Sequence, residues 1–121
     1  MKASLSRCSV ESQASVDFVD VTELVGSAYA KLGMKEARVT VFSTEPGTRL
    51  FVNECESGLL QDLRRAIARM KEAGTPVTLG SASVVMPAAG EHLQLGSWQR
   101  IFLADLDGPS QRQLLVQVTG E

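Results

Sequence analysis

The densest group of side chains able to do chemistry is Glu45, Asn53, Glu54, Glu56 and Asp62. Leu50 to Glu54 alternates as a strand does, so its end presents an amide and a carboxylate side by side at the mouth of a pocket. There Glu54 can act as a base or hold a ligand in place, and Asn53 can both donate and accept hydrogen bonds. Glu56 and Asp62 fall in the first turns of a helical segment. A carboxylate at Glu56 suits the helix dipole, and Asp62 lies off the apolar face. If Glu45, Glu54 and Asp62 converged, their oxygens would suit a hard cation.

A second group follows in Leu95-Gly96-Ser97-Trp98-Gln99-Arg100, where the single tryptophan precedes an amide and a guanidinium. Two readings stand together. Trp98 and Gln99 line a ligand cleft, or Trp98 fills the core or a subunit contact while Gln99 satisfies backbone groups. Arg112 follows the turn-like Asp107-Gly108-Pro109-Ser110-Gln111, and its fork of donors suits bidentate binding of a phosphate-like anion. The only histidine, His92, sits in an expected turn beside Glu91, and one histidine cannot build a zinc site by itself. Cys8 and Cys55 form no spaced pair, no serine stands in a nucleophile elbow, and no phosphate-binding Gly-Lys-Ser/Thr loop occurs.

These residues need elements to hold them. Loose alternation over Ala3 to Val19 predicts one or two half-exposed strands, as a hairpin or a long edge. Asp20-Val21-Thr22-Glu23 resembles a reciprocal helix cap, and Leu24, Val25, Ala28, Tyr29 and Leu32 then recur at helical spacing up to Gly33. Strands are expected over Ala37 to Phe42 and Arg49 to Asn53. Ser57 is placed to cap a second helix with Leu59, Leu63, Ala66, Ile67 and Met70 on one face, stopped by Gly74 and Pro76. Further strands are expected over Thr75 to Leu79, Ala82 to Met86, Leu93 to Leu95, Arg100 to Ala104 and Leu114 to Val118. Two helices among many short strands predict an α+β domain with antiparallel sheets, not the regular alternation of a doubly wound fold.

Composition bounds these readings. At 121 residues, with 44% hydrophobic and 21% charged side chains, the sequence fits one domain over residues 1–121. Such a chain buries about 65% of its extended surface, so a site shared between subunits suits it better than a deep enclosed one. Twelve basic against fourteen acidic residues give a formal charge of -2, which supplies no general attraction to nucleic acid or anionic membrane. Without a signal-like apolar start or a bilayer-length apolar run, a cytoplasmic protein is expected.

Several segments together resemble the YjbQ-like family of small bacterial and archaeal proteins, some of which are described as secondary thiamine-phosphate synthases. They are Asn53-Glu54 with Gly58-Leu59-Leu60 and Asp62-Leu63, Leu79-Gly80 with Ser83 and Pro87, Leu95-Gly96-Ser97-Trp98-Gln99, and Asp107-Gly108-Pro109 with Arg112. The resemblance spans nearly the whole chain. It implies an α+β domain with a β-sandwich-like core, assembled as a homotrimer with polar clefts near subunit boundaries. It also implies an activity joining a hydroxymethylpyrimidine diphosphate to a thiazole phosphate. On this resemblance Glu54 and Glu45 are the catalytic candidates, and Asn53, Asp62, Trp98, Gln99 and Arg112 the ligand-binding ones.

The sequence departs from the family pattern at three places. Thr44-Glu45-Pro46-Gly47 stands where the family has Pro-His-Thr-Thr, so Glu45 replaces a histidine. Lys71 to Leu79 crosses directly an interval where the family carries two further histidines. Ser110 replaces an arginine. Fewer imidazoles weaken both metal affinity and acid–base capacity, so the expectation is a binder of a small anion or phosphorylated metabolite with weakened or lost catalysis and no required cofactor or metal. A working synthase and a purely structural trimer are the alternatives.

Overall fold

The computed structural model describes residues 1–77 and 79–121. The elements run β1 (Lys2–Glu11), β2 (Asp17–Asp20), α1 (Thr22–Ala30), β3 (Glu36–Ser43), β4 (Thr48–Glu54), α2 (Ser57–Glu72), β5 (Ser83–Ala89), β6 (His92–Leu93), β7 (Gln99–Asp105) and β8 (Gln111–Gly120). They form a five-stranded sheet in the order β1-β8-β3-β5-β6 and a three-stranded sheet in the order β2-β7-β4, with every pairing antiparallel. This is the expected α+β sandwich.

Alternation decides which face of each strand goes inward. In β3 and β8 the buried apolar residues are Val39, Val41, Leu114, Val116 and Val118, each separated by a more exposed neighbour. They meet Leu50, Ile101 and Leu103 from the smaller sheet, and α1 closes one end of this core with Val25, Ala28 and Tyr29. The Tyr29 hydroxyl donates to the Met34 carbonyl at 2.8 Å, so its buried polar tip is satisfied. On the outer side of the smaller sheet, Phe51, Phe102 and Ala104 form a second cluster with Leu60 and Leu63 of α2. Phe51 stacks on Phe102 at 5.5 Å and meets the edge of Phe18 at 5.7 Å. The layers are therefore large sheet, small sheet and α2.

Several local expectations are corrected. Of the two readings of residues 3–19, the long edge strand holds and the hairpin does not: β1 is an edge of the large sheet, and β2 an edge of the small one. Asp20 does not cap α1. The residue before that helix is Val21, with no side-chain cap, while Asp20 accepts hydrogen bonds from the Thr22 amide (3.0 Å) and hydroxyl (2.7 Å). At α2 the cap is Glu56 in place of Ser57, because its longer carboxylate reaches both the Gly58 and Leu59 amides at 2.9 and 2.7 Å. On that helix Ile67 is buried while Ala66 is exposed. Residues 75–77 and 79 are not in a strand, and residue 78 of the expected Thr75–Leu79 strand lies outside the described residues. His92 opens β6, and the turn before it is Gly90-Glu91, both with positive φ.

Candidate functional site

Antiparallel pairing of β4 with β7 decides where the candidate residues fall. Thr48 pairs with Asp105, and Glu54 pairs with Gln99. The two ends of a seven-residue strand are about 20 Å apart. Glu45 and Arg112 come together at the Thr48–Asp105 end. Asn53, Glu54, Trp98 and Gln99 gather at the other end, and Asp62 stands on the exposed side of α2, 3.5 Å from Arg65. Glu45, Glu54 and Asp62 therefore do not converge, and among the described residues no group of three or more His, Cys, Asp or Glu is placed to hold a metal ion.

The Asp105 end is built around a fully buried carboxylate. Asp105 closes the apolar run Ile101-Phe102-Leu103-Ala104, and its side chain has no solvent exposure. Arg112 grips it with two donors, Nε to Oδ2 and Nη2 to Oδ1, both at 3.0 Å. The Ser12 and Ser110 hydroxyls donate to Oδ2 at 2.7 and 2.9 Å, and the Asp107 amide donates to Oδ1 at 3.1 Å. Burial by itself would raise the Asp105 pKa, but the hydrogen bonds from Arg112, Ser12 and Ser110 outweigh it and hold the carboxyl well below the usual range. Arg112 is raised in turn, first by its hydrogen bond to Asp105.

Arg112 is thus committed before any ligand arrives. Its remaining nitrogen, Nη1, lies 3.8 Å from Glu45, and Glu45 also accepts the Gln113 amide hydrogen. Glu45 is a carboxylate held by an arginine and a backbone donor. Its effect is to fix the β3–β4 loop against β8.

That loop walls a cleft of about 610 Å³, together with Arg49, Lys71 at the end of α2, Val77 and Asp107. Gly47, at φ +77°, passes so close to Asp107 that an added Cβ would lie 2.3 Å from Oδ2. Its carbonyl accepts the Leu106 amide at 2.8 Å, which closes the wall. Lys71 Nζ donates to the Leu106 carbonyl at 2.6 Å and stands 3.8 Å from Asp107 Oδ1. Arg49 Nη2 donates only to the Val77 carbonyl, at 3.4 Å, and among the described residues Arg49 has no carboxylate partner. Two cations with spare donors therefore face one cleft.

The Gln99 end is arranged differently. Arg100 is clamped by Asp20 (2.7 Å) and Glu23 (2.6 Å), with its pKa raised by those two bonds. Burial would raise Asp20, but the Arg100 and Thr22 hydrogen bonds lower it. Asn53 Oδ1 folds back onto the Glu54 amide at 2.8 Å, and Gln99 Oε1 accepts the Gly96 amide at 2.8 Å. Glu54 is exposed, and Trp98 leaves 75% of its surface in solvent. A second cleft of about 530 Å³ lies nearby, between α1 and the Leu95–Arg100 segment, with His92 at its edge.

Reasoning from sequence missed Arg49, Lys71, Asp105 and Ser12. Lys71 reads as one more charge on a solvated helix face, and Arg49 as the outward residue of a strand. Asp105 did leave a signal, since an acid ending an unbroken apolar strand must find partners when it is buried.

The fold and the polar cleft at one end of its smaller sheet define a two-sheet α+β protein. Residues 6–121 match the family described as UPF0047 protein YjbQ-like, and the chain belongs to that family. A UPF0047 protein of Methanothermobacter thermautotrophicus is 30% identical, with 88% of this chain and 85% of the relative covered. A YbjQ-like protein of unknown function from Sulfolobus solfataricus superimposes with a TM-score of 0.89 at 28% identity, covering 99% of each chain. A hypothetical protein from Aeropyrum pernix gives a TM-score of 0.87 at 25% identity, covering 98% of this chain and 99% of that one. Among the described residues no helix is long and apolar enough to cross a membrane.

Proposed function

We propose that this is a cytoplasmic protein that binds a small anion, of the phosphorylated-metabolite class, in the cleft between the β3–β4 loop and the end of α2. The observation that carries this reading is the pair of cations there: Arg49 has no carboxylate partner among the described residues, and Lys71 keeps Asp107 at the long distance of 3.8 Å. An arginine fork and a lysine point charge are the usual recognition set for phosphate oxygens. Arg112 supports the cleft from behind as a positioning residue, by holding Glu45.

Catalysis is weakened or lost in this reading. Glu45 stands at the position where the family pattern has a histidine, and its side chain is tied to the loop wall, with one oxygen accepting the Gln113 amide and the other 3.8 Å from Arg112. Glu54, the other carboxylate candidate, stands at the far end of β4. Copies of the chain are also taken to associate, as a trimer. Support for association comes from Leu5, Phe42 and Val85, which share the outer face of the large sheet and are 58%, 41% and 57% exposed.

Calorimetric titration with inorganic phosphate and pyrophosphate tests the site. Saturable binding is expected, weakened about 10-fold or more in Arg49→Ala and in Lys71→Ala, the scale of one lost charged hydrogen bond. No binding, or binding indifferent to both substitutions, rejects the site. Incubation with the pyrimidine diphosphate and the thiazole phosphate is expected to give no thiamine phosphate above a protein-free control; turnover would restore the synthase reading.

A further inference from the structure

The cleft that holds Arg49 and Lys71 also presents a carboxylate that the fold does not use. Asp107 lines its wall with 65% of its side chain exposed. The Asp107 amide donates to Asp105 Oδ1 at 3.1 Å, so the structural part of this residue is played by its main chain. Its two side-chain oxygens accept no hydrogen bond among the described residues, and their one charged contact is the 3.8 Å approach to Lys71 Nζ. Gly47 keeps that carboxylate in the wall. A Cβ on Gly47 would stand 3.1 Å from Asp107 Cγ and overlap Oδ2, so any other residue would push the side chain aside.

The formal charges at the cleft sum to zero. Arg49 and Lys71 stand against Glu45 and Asp107 in the lining, and Arg112 behind it is matched by the buried Asp105. Such a cleft gives a polyanion no advantage over a monoester, because the carboxylates repel what the cations draw in. A ligand with separated charges of both signs gains from both. The two signs also lie close together: Lys71 Nζ donates to the Leu106 carbonyl at 2.6 Å, keeps further donors, and has Asp107 Oδ1 3.8 Å away. An anionic oxygen bonded to Lys71 and a donor bonded to Asp107 are therefore joined by a spacer of about two or three carbons, at about 1.5 Å a bond. Arg49 and Lys71 together match the two charged oxygens of a phosphomonoester better than the single charge of a diester.

We propose that the cleft selects an aminoalkyl phosphomonoester, with the phosphate between Arg49 and Lys71 and the ammonium of the same molecule donating to Asp107. A hydroxyl could donate to Asp107 as well, but it would leave the charge of the carboxylate unmatched, so an ammonium is the better complement. The proposal rests on the anion site inferred above and names the class of ligand that site takes.

Calorimetric titration with phosphoethanolamine and with ethyl phosphate tests this, since the two differ only in an ammonium against a hydrogen. Wild type is expected to bind phosphoethanolamine about 5-fold more tightly, the scale of one half-exposed ion pair. Asp107→Asn should remove that preference, while Asp62→Asn, which removes a charge of the same sign from the exposed side of α2, should keep it. Equal affinities in wild type, or a preference that survives Asp107→Asn, overturn the proposal and leave the anion site standing. A preference lost equally in Asp62→Asn belongs to the overall charge and overturns it too. If neither phosphate binds, or both bind indifferently to Arg49→Ala and Lys71→Ala, the anion site itself falls. The same headgroup occurs in phospholipid, so glycerophosphoethanolamine and vesicles containing phosphatidylethanolamine are titrated alongside. Both are diesters and are expected to bind more weakly than the monoester; binding as tight as the monoester overturns the assignment. The Asp107 side chain is mostly in solvent, so the urea midpoint of Asp107→Asn should stay near wild type, and should that variant unfold, the two ligands compared on wild type decide the question alone.

Discussion

At the Thr48–Asp105 end of β4 and β7 a buried carboxylate, Asp105, is fully partnered, whereas at the Glu54–Gln99 end the same strands leave Glu54 and the neighbouring Trp98 in solvent. Asp105 takes five donors and has no exposed surface. Glu54 takes none from a side chain among the described residues, and Trp98 is three-quarters exposed. One pair of strands therefore carries a structural lock at one end and a free surface at the other. The lesson is that residues belonging to one motif set need not share one cavity in one chain: those that looked like a single site are divided by the length of a strand.

The comparison breaks most visibly at the lock. Asp105→Asn leaves Arg112, only 14% exposed, beside a neutral partner, and a loss of about 3 kcal/mol in urea unfolding is expected. Glu54→Gln at the open end should change stability by less than about 0.5 kcal/mol. Equal effects would erase the distinction.

Acid provides the next test. Asp105 is depressed in the folded chain, so the unfolded state binds its proton first, and stability from this group is present above the unfolded value near about pH 4 and lost as pH falls below it. Urea midpoints for wild type should therefore fall through that window, and Asp105→Asn should show a shallower slope. A wild-type slope unchanged by the substitution would place the acid sensitivity elsewhere.

Smaller effects sharpen the cleft. Lys71→Ala should alter stability by less than about 1 kcal/mol while phosphate affinity drops, because its ion pair with Asp107 is half-exposed and long. Glu56→Ala should lower the thermal midpoint slightly and Ser57→Ala should not, since the helix amides bond to the Glu56 carboxylate, which their donation holds below its usual pKa. Asp62→Ala should leave both binding and melting unchanged.

Much of the fold was legible because burial on one face of a strand writes a two-residue period. Val39 and Val41, or Leu114, Val116 and Val118, declare strands without reference to partners. That period does not say which strand lies alongside, so the first twenty residues were read as a possible hairpin although β1 and β2 belong to different sheets. The cap at Asp20 was misread for a related reason: a carboxylate before a helix has other claimants, and here Thr22 and Arg100 take it. At the site, the motif residues themselves were legible, but their separation was not, because it depends on the antiparallel register of β4 against β7. Arg112 looked like an anion donor until Asp105, the acid that ends the apolar strand β7, proved to be its buried partner.

Amide chemical shifts followed during titration with inorganic phosphate test the central claim most directly. If the anion binds between Arg49 and Lys71, saturable shifts appear at Gly47, Thr48 and Asp107 and vanish in Arg49→Ala, while Ser97 to Gln99 stay still. Shifts confined to Ser97–Gln99, or none at all, would contradict it.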